Sequence, residues 1–232
     1  MFKGKKIYTI IPARGGSKSL PRKNILPLNG KPLISYTIEY SLKSRIVDRT
    51  IVSTDDEEIA EISKKYGAEV PFLRPKKYAR DTTQDFSVYN HALRWIIKNE
   101  KEIPDIIVLL RPTSPLRPQG LIEKGVKLLI ENKGDSVRSV ALCSENPFRM
   151  WKLKGDIMKS IIEHVKETYN IPRQKLPKIY FQTGDIEIMT PNTLLKQKSV
   201  SGKRIVPLII EKNDMIDIDT KKDFELANKK LK

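Results

Sequence analysis

Residues 7–18 read Ile7-Tyr8-Thr9-Ile10-Ile11-Pro12-Ala13-Arg14-Gly15-Gly16-Ser17-Lys18, and the fold follows from the change of character halfway along. The first five are apolar or β-branched without interruption, as in a strand covered on both faces. Pro12 and the Gly15-Gly16 pair stop the run, so a buried strand feeds a glycine loop. Further along, residues 33–42 carry apolar side chains at helical spacing, 50–53 form a second strand, 55–66 a helix ended by Gly67, and 69–72 a third strand. Residues 86–99 put Tyr89, Leu93, Ile96 and Ile97 on one helical side, 106–110 are the most apolar strand, 120–131 another helix and 136–141 another strand. Strands alternating with helices predict an α/β fold, a mostly parallel sheet flanked by helices on both faces.

The alternation breaks after Cys143. Residues 144–178 mix Trp151, a Gly155-Asp156 turn and a proline-bounded loop, which predicts an antiparallel hairpin arm inserted in a single domain spanning 1–232. Strand-like 185–189 and 204–210 and a helix from Lys221 complete the chain. At 232 residues, one α/β domain with an appendage is the expected size. A composition 39% hydrophobic and 31% charged excludes wholesale disorder. The apolar run 106–110 is far short of the roughly twenty residues that cross a bilayer, so no membrane partner is expected. The basic N-terminus lacks a cleavage site of small residues, and the expected compartment is the cytoplasm. Cys143, His91 and His164 make no zinc set. Lys and Arg number 44 against 28 Asp and Glu, a net +16 that would attract nucleic acid or phosphorylated small molecules. The cations are not interleaved with aromatics and no nucleic-acid module is present, so nucleic-acid binding stands only as the competing class.

In the glycine loop, backbone amides can close on a phosphate while Arg14 and Lys18 supply charge; a strand-end turn needing glycine for positive φ is the alternative. Neither a Walker ending nor GxGxxG is present. Leu20-Pro21-Arg22-Lys23-Asn24 adds two cations, and four so close together call for an anion among them. In Ile216-Asp217-Ile218-Asp219, alternation sends both carboxylates to one side of an extended segment, which suits a hard cation; Asp219-Thr220 capping the last helix is the alternative. Residues 109–117, Leu109-Leu110-Arg111-Pro112-Thr113-Ser114-Pro115-Leu116-Arg117, open at the carboxyl edge of the sheet, where ligands bind in such folds, or else form a rigid connector.

Taken in order, IIPARGGSKSLPRKN, LNGKPLISYTI, IIVSTDDEEIAEISKKYGAEV, LLRPTSPLR and IDIDT resemble the acylneuraminate cytidylyltransferases, the CMP-sialic acid synthetases, through most of the chain. The resemblance implies a Rossmann-like nucleotidyltransferase fold and a homodimer whose small arm reaches into the partner's site. It also implies Mg²⁺-dependent transfer of CMP from CTP to an α-keto sugar acid, with release of pyrophosphate. Carried onto matching positions, it implies nucleotide contacts from Pro12, Ala13, Arg14, Ser17, Lys23 and Asn24, with Arg14, Lys23 and Asp219 as catalytic residues and Asp217 and Asp219 as metal ligands. The implied sugar pocket comprises Arg111, Thr113, Ser114, Arg149, Arg173, Asp185 and Glu187. Arg149 and Arg173 match basic positions that reach the sugar carboxylate in the partner subunit. Two departures bear on the sugar. Arg111 stands where many members have Gln, and Asp185 and Glu187 replace apolar and aromatic neighbours; a solvent-facing strand edge is the alternative for the acidic pair. Asp85 falls where some relatives have a nucleotide-binding Ser, and that role is not carried over. The implied substrate is a nonulosonic acid, with a 3-deoxy-octulosonate or legionaminate-like acid as the alternative. His91, His164, Trp95 and Trp151 are read as packing or surface residues.

Overall fold

A computed structural model describes residues 2–165, 167–211 and 216–231. In chain order its elements are β1 (Ile7–Pro12), a small hairpin β2 (Pro27–Leu28) and β3 (Lys31–Pro32), α1 (Leu33–Leu42), β4 (Arg49–Ser53), α2 (Glu57–Lys65) and α3 (Asp85–Glu100). There follow β5 (Ile106–Leu109), α4 (Leu121–Glu131), β6 (Ser136–Leu142), β7 (Trp151–Lys154), β8 (Ile157–Ser160), β9 (Tyr180–Met189), α5 (Pro191–Leu195), β10 (Ile205–Ile209) and α6 (Lys221–Lys230).

The main sheet runs β10-β6-β9-β5-β1-β4. Pairs β1–β4, β1–β5 and β10–β6 are parallel, and β9 runs antiparallel between β5 and β6. The mostly parallel sheet flanked by helices is therefore as expected. The central strand β5 is apolar throughout because both of its faces are covered. On β5 and just beyond it, Ile106, Val108 and Leu110 pack with residues of α1, α2 and α4, while Ile107 and Leu109 pack with Val88, Tyr89 and Leu93 of α3. Asp56 caps α2 by accepting from the Ile59 amide at 3.0 Å.

The expected strand at 69–72 is not one. Glu69 and Leu73 make isolated parallel bridges to Ile51 and Thr54. Pro71 between them has no N–H to continue a ladder, which confines pairing to the two ends. The strand expected at 185–189 is longer, because its first residues pair back onto the end of β6 (Leu142 with Tyr180) and close the base of the 144–178 excursion. Within that excursion β7 and β8 form the antiparallel hairpin, Leu153 opposite Met158. Ile216 and Ile218 join a third apolar cluster with Leu28, Leu33 and Ala227, which anchors the segment before α6.

Candidate active site

Neighbouring parallel strands β1 and β5 end at one edge of the sheet, and the loops leaving them wall a cleft of about 580 Å³. One wall is Pro12, Ser17, Lys18, Lys23 and Asn24, a second Arg111 and Thr113, a third Asp217 and Asp219. A fourth wall is Arg74, Tyr78, Arg80, Asp81 and Thr83, which escaped the sequence reading and come from the irregular stretch before α3, with Asp85, whose role was set aside, and Tyr89 from α3 itself.

Gly15 serves neither expectation, whereas Gly16 lines the cleft. Gly15 and Gly16 are absent from the positive-φ residues. Gly15 is required by crowding, since a Cβ there would lie 2.6 Å from Asp56 Oδ2. Its amide already donates to Asp55 Oδ1 at 3.1 Å, so it is not open to a phosphate. The mutual repulsion of the four cations is relieved by protein carboxylates. Arg22 is turned away into a double hydrogen bond with Asp56 and a further one with Glu58 at the start of α2. Arg14 Nη1 and Lys18 Nζ share Asp81, at 2.7 and 2.9 Å. Asn24 Nδ2 donates to the Arg14 carbonyl at 2.9 Å and fixes the loop from behind. Ala13 is a correction: fully buried and off the cleft, its amide extends the β1–β4 ladder by donating to the Ser53 carbonyl.

The acidic wall follows from alternation. With Ile216 and Ile218 buried, Asp217 and Asp219 both face the cleft. Two bonds tie this segment to the other motifs: the Ile218 amide donates to the Thr113 carbonyl at 2.8 Å, and Lys23 Nζ donates to the Ile218 carbonyl at 2.8 Å. Lys23 Nζ also lies 3.0 Å from Asp219 Oδ1. Capping of α6 is done by Thr220 with Asp223, which leaves the Asp219 carboxylate out of the cap. Among the described residues there is no cluster of three or more His, Cys, Asp or Glu placed to hold a metal. The two carboxylates nonetheless fit a hard cation that takes few protein oxygens and completes its shell with ligand oxygens and water.

Behind Arg111 lies a buried charged layer. Arg111 Nη2 donates to Asp85 Oδ2 at 2.6 Å and to Glu187 Oε1 at 3.0 Å. Glu187 is 1% exposed, and Arg138 Nη1 sits 2.6 Å from its other oxygen as an ion pair. Burial opposes charge on Arg111, but Tyr89, Glu187 and Asp85 outweigh it and hold the guanidinium pKa above its ordinary value. Asp185 is likewise buried, and burial pushes its carboxyl pKa up. The solvent-edge alternative therefore fails. Neither Asp185 nor Glu187 lines the cleft; they stand behind Arg111. Ser114 is also buried and off the cleft, and its carbonyl accepts from Arg117 Nη1 at 2.5 Å. Arg117, part of the quoted motif but given no role there, staples this region. Its Nε donates to the Asp185 carbonyl at 2.6 Å, Nη1 to Thr37 Oγ1 at 2.9 Å, and Nη2 to the Arg111 carbonyl. Burial pulls its pKa down to about 10. Arg149 and Arg173 are exposed on the arm and away from this chain's cleft, Arg149 donating to the Ile171 carbonyl at 2.8 Å.

A profile of the family described as cytidylyltransferase matches residues 8–229. The pseudaminic acid cytidylyltransferase of Campylobacter jejuni is 33% identical over 222 residues, covering 96% of this chain and 94% of that protein. The CMP-N,N'-diacetyllegionaminic acid synthase of Legionella pneumophila is 35% identical over 229 residues, covering 97% and 95%. The N-acylneuraminate cytidylyltransferase of Escherichia coli is 36% identical over 223 residues, covering 96% of this chain and 51% of that longer protein. Among solved structures, a CMP:2-keto-3-deoxy-manno-octonic acid synthetase complexed with CTP superposes with a TM-score of 0.72 at 17% identity, covering 97% and 98%; at that identity the likeness is one of fold. The agreement runs from the glycine loop to the final helix, and on it the chain belongs to the cytidylyltransferase family.

Proposed function

We propose that the chain transfers CMP from CTP to the anomeric hydroxyl of a nonulosonic, sialic-acid-like sugar acid and releases pyrophosphate. The observation that carries this is one cleft lined both by the cations Arg14, Lys18 and Lys23 and by the carboxylates of Asp217 and Asp219, with Arg111 on the adjoining wall. In the transfer the sugar oxygen bonds to the α-phosphorus as the bond to the β-phosphate breaks. The protein's share of such chemistry is placement and charge neutralisation. Arg14 and Lys23 hold the triphosphate, with Pro12, Ser17 and Asn24 shaping the loop beside it. Asp217 and Asp219 would hold Mg²⁺, which when bound neutralises phosphate charge. Arg111 and Thr113 face the sugar, while Asp185, Glu187 and Ser114 act from behind them. The relatives named for nonulosonic acids exceed 30% identity, whereas the octonic acid enzyme shares only the fold, and nothing in the cleft favours nucleic acid.

The same reading makes the enzyme a cytoplasmic homodimer with residues 144–178 as its arm. Leu153, Ile157 and Met158 on the hairpin are 76%, 66% and 56% exposed, more apolar surface than a hairpin facing only water would carry. Arg149 and Arg173 then point toward a sugar in the neighbouring copy.

The test is pyrophosphate release from CTP and Mg²⁺ with N-acetylneuraminate, legionaminate-type, pseudaminate-type and octulosonate acids. A nonulosonate is expected to react fastest; silence with every acid would sink the reading. Arg111→Gln should change the relative rates among the acids at least about tenfold, because a donor-only group recognises a different substituent from an amide. An unchanged ranking would remove Arg111 from the sugar pocket. For the metal, Asp219→Asn should abolish the Mg²⁺ dependence of CTP binding, since an amide oxygen is a weaker ligand than a carboxylate. Unaltered metal response in both Asp217→Asn and Asp219→Asn would exclude the pair.

A further inference from the structure

Asp81 occupies the cationic side of the cleft. One of its oxygens lies 2.7 Å from Arg14 Nη1 and the other 2.9 Å from Lys18 Nζ, so it bridges two cations of the glycine loop from the opposite wall. Its own segment is held by a local turn, in which the Thr83 amide donates to the Arg80 carbonyl and the Arg80 amide to Thr83 Oγ1, each at 3.1 Å. The contacts are accessible to solvent: the side chains of Asp81, Arg14 and Lys18 are 39%, 34% and 82% exposed. The neighbouring Arg22 differs, being committed to Asp56 and Glu58 outside the cleft. Lys18 and Arg14 hold the Asp81 carboxyl below the usual carboxylate range, so it is an anion at neutral pH. A carboxylate spanning two cleft-facing cations presents them with the same kind of charge-assisted acceptor as a phosphate group.

We infer that Asp81 is a built-in occupant of the polyphosphate subsite, whose carboxylate keeps Arg14 and Lys18 directed into the cleft until triphosphate exchanges for it. The inference rests on the nucleotide reading of the cleft and adds a competitor to it. Asp81 is a positioning residue. Its two ion pairs must open before Arg14 and Lys18 can take phosphate oxygens, and they reform as pyrophosphate leaves. Removing the carboxylate therefore tightens anion binding, the opposite of what loss of a structural or metal-binding group would do. Because exposed ion pairs are individually weak, the gain is about tenfold at most and about threefold at least.

Calorimetric titration of the full chain with inorganic pyrophosphate and with CTP, each with and without Mg²⁺, tests this on wild type, Asp81→Asn, Asp81→Ala and Asp81→Glu. Asn and Ala are expected to bind pyrophosphate about threefold to tenfold more tightly than wild type, and Glu to bind like wild type. Thermal melts of the four proteins should coincide within a few degrees. Binding in Asn and Ala that is unchanged or weaker, with wild type still binding, overturns the Asp81 inference alone. A wild-type protein that binds neither CTP nor pyrophosphate brings down the nucleotide reading itself, and the inference with it.

Discussion

Turnover is expected to fall at least about a hundredfold when Lys23 is replaced by alanine, and likewise when Arg14 is, with the fold retained in both. Each substitution removes a cation facing the cleft without removing a core side chain. Lys23 is the more consequential, because its side chain is only 12% exposed and its ammonium joins the loop after β1 to the acidic segment before α6 through the Ile218 carbonyl and Asp219. A charge so placed is already oriented when charge builds on the departing phosphate, and its stabilisation is gained without reorganising water. Steady-state kinetics at saturating CTP, alongside a thermal melt, separate the possibilities. A protein that is unfolded at room temperature would make Lys23 or Arg14 structural. A folded variant within about fivefold of wild type would remove it from catalysis.

Arg117→Ala should lower the melting temperature by roughly 10 °C, a loss of about 3–5 kcal/mol in a domain where 1 kcal/mol corresponds to about 2–4 °C. Arg117 is 6% exposed, and its guanidinium is the donor to the carbonyls of Arg111, Ser114 and Asp185. Truncation strands those acceptors in the interior at about 1–3 kcal/mol each, partly offset where water follows. It also withdraws the cation nearest the buried Asp185 carboxyl. Activity falls with stability here, since the loop carrying Arg111 and Thr113 loses its fastening. Differential scanning calorimetry gives the answer. A shift smaller than about 3 °C would mean that the cavity rehydrates well enough to replace all three donors.

What could be read from the amino acids was whatever had a period. The unbroken run at residues 7–11, the helical spacing of 86–99 and the two-residue alternation of Ile216-Asp217-Ile218-Asp219 each placed their side chains correctly, because strand and helix geometry act locally. The fourth wall of the cleft was not legible. Arg74 and Asp81 lie in a stretch without periodicity, punctuated by Pro71 and Pro75, and their position depends on tertiary bonds such as the Arg74 amide to the Thr54 carbonyl at 2.6 Å. The places of Asp185 and Glu187, expected in the sugar pocket or else on an exposed edge, were not legible for a related reason. Both are buried behind the cleft, where Arg111 and Arg138, remote in sequence, pair with the Glu187 carboxylate and Arg117 donates to the Asp185 carbonyl. The purpose of Gly15 was not legible either, since the crowding there comes from Asp56, forty-odd positions away in the chain.

The arm leaves and re-enters the molecule at residues that are already hydrogen-bonded neighbours, Leu142 beside Tyr180 and the Cys143 amide on the Ile179 carbonyl at 2.9 Å. Its ends are brought together by the β6–β9 ladder rather than by anything the arm itself supplies. The closure entropy of such a loop grows only with the logarithm of its length, about 0.6 kcal/mol for each doubling. Natural variation can therefore lengthen, shorten or re-surface this excursion at little expense to folding of the sheet. The surface that this excursion presents is free to evolve on a different clock from the chemistry in the cleft.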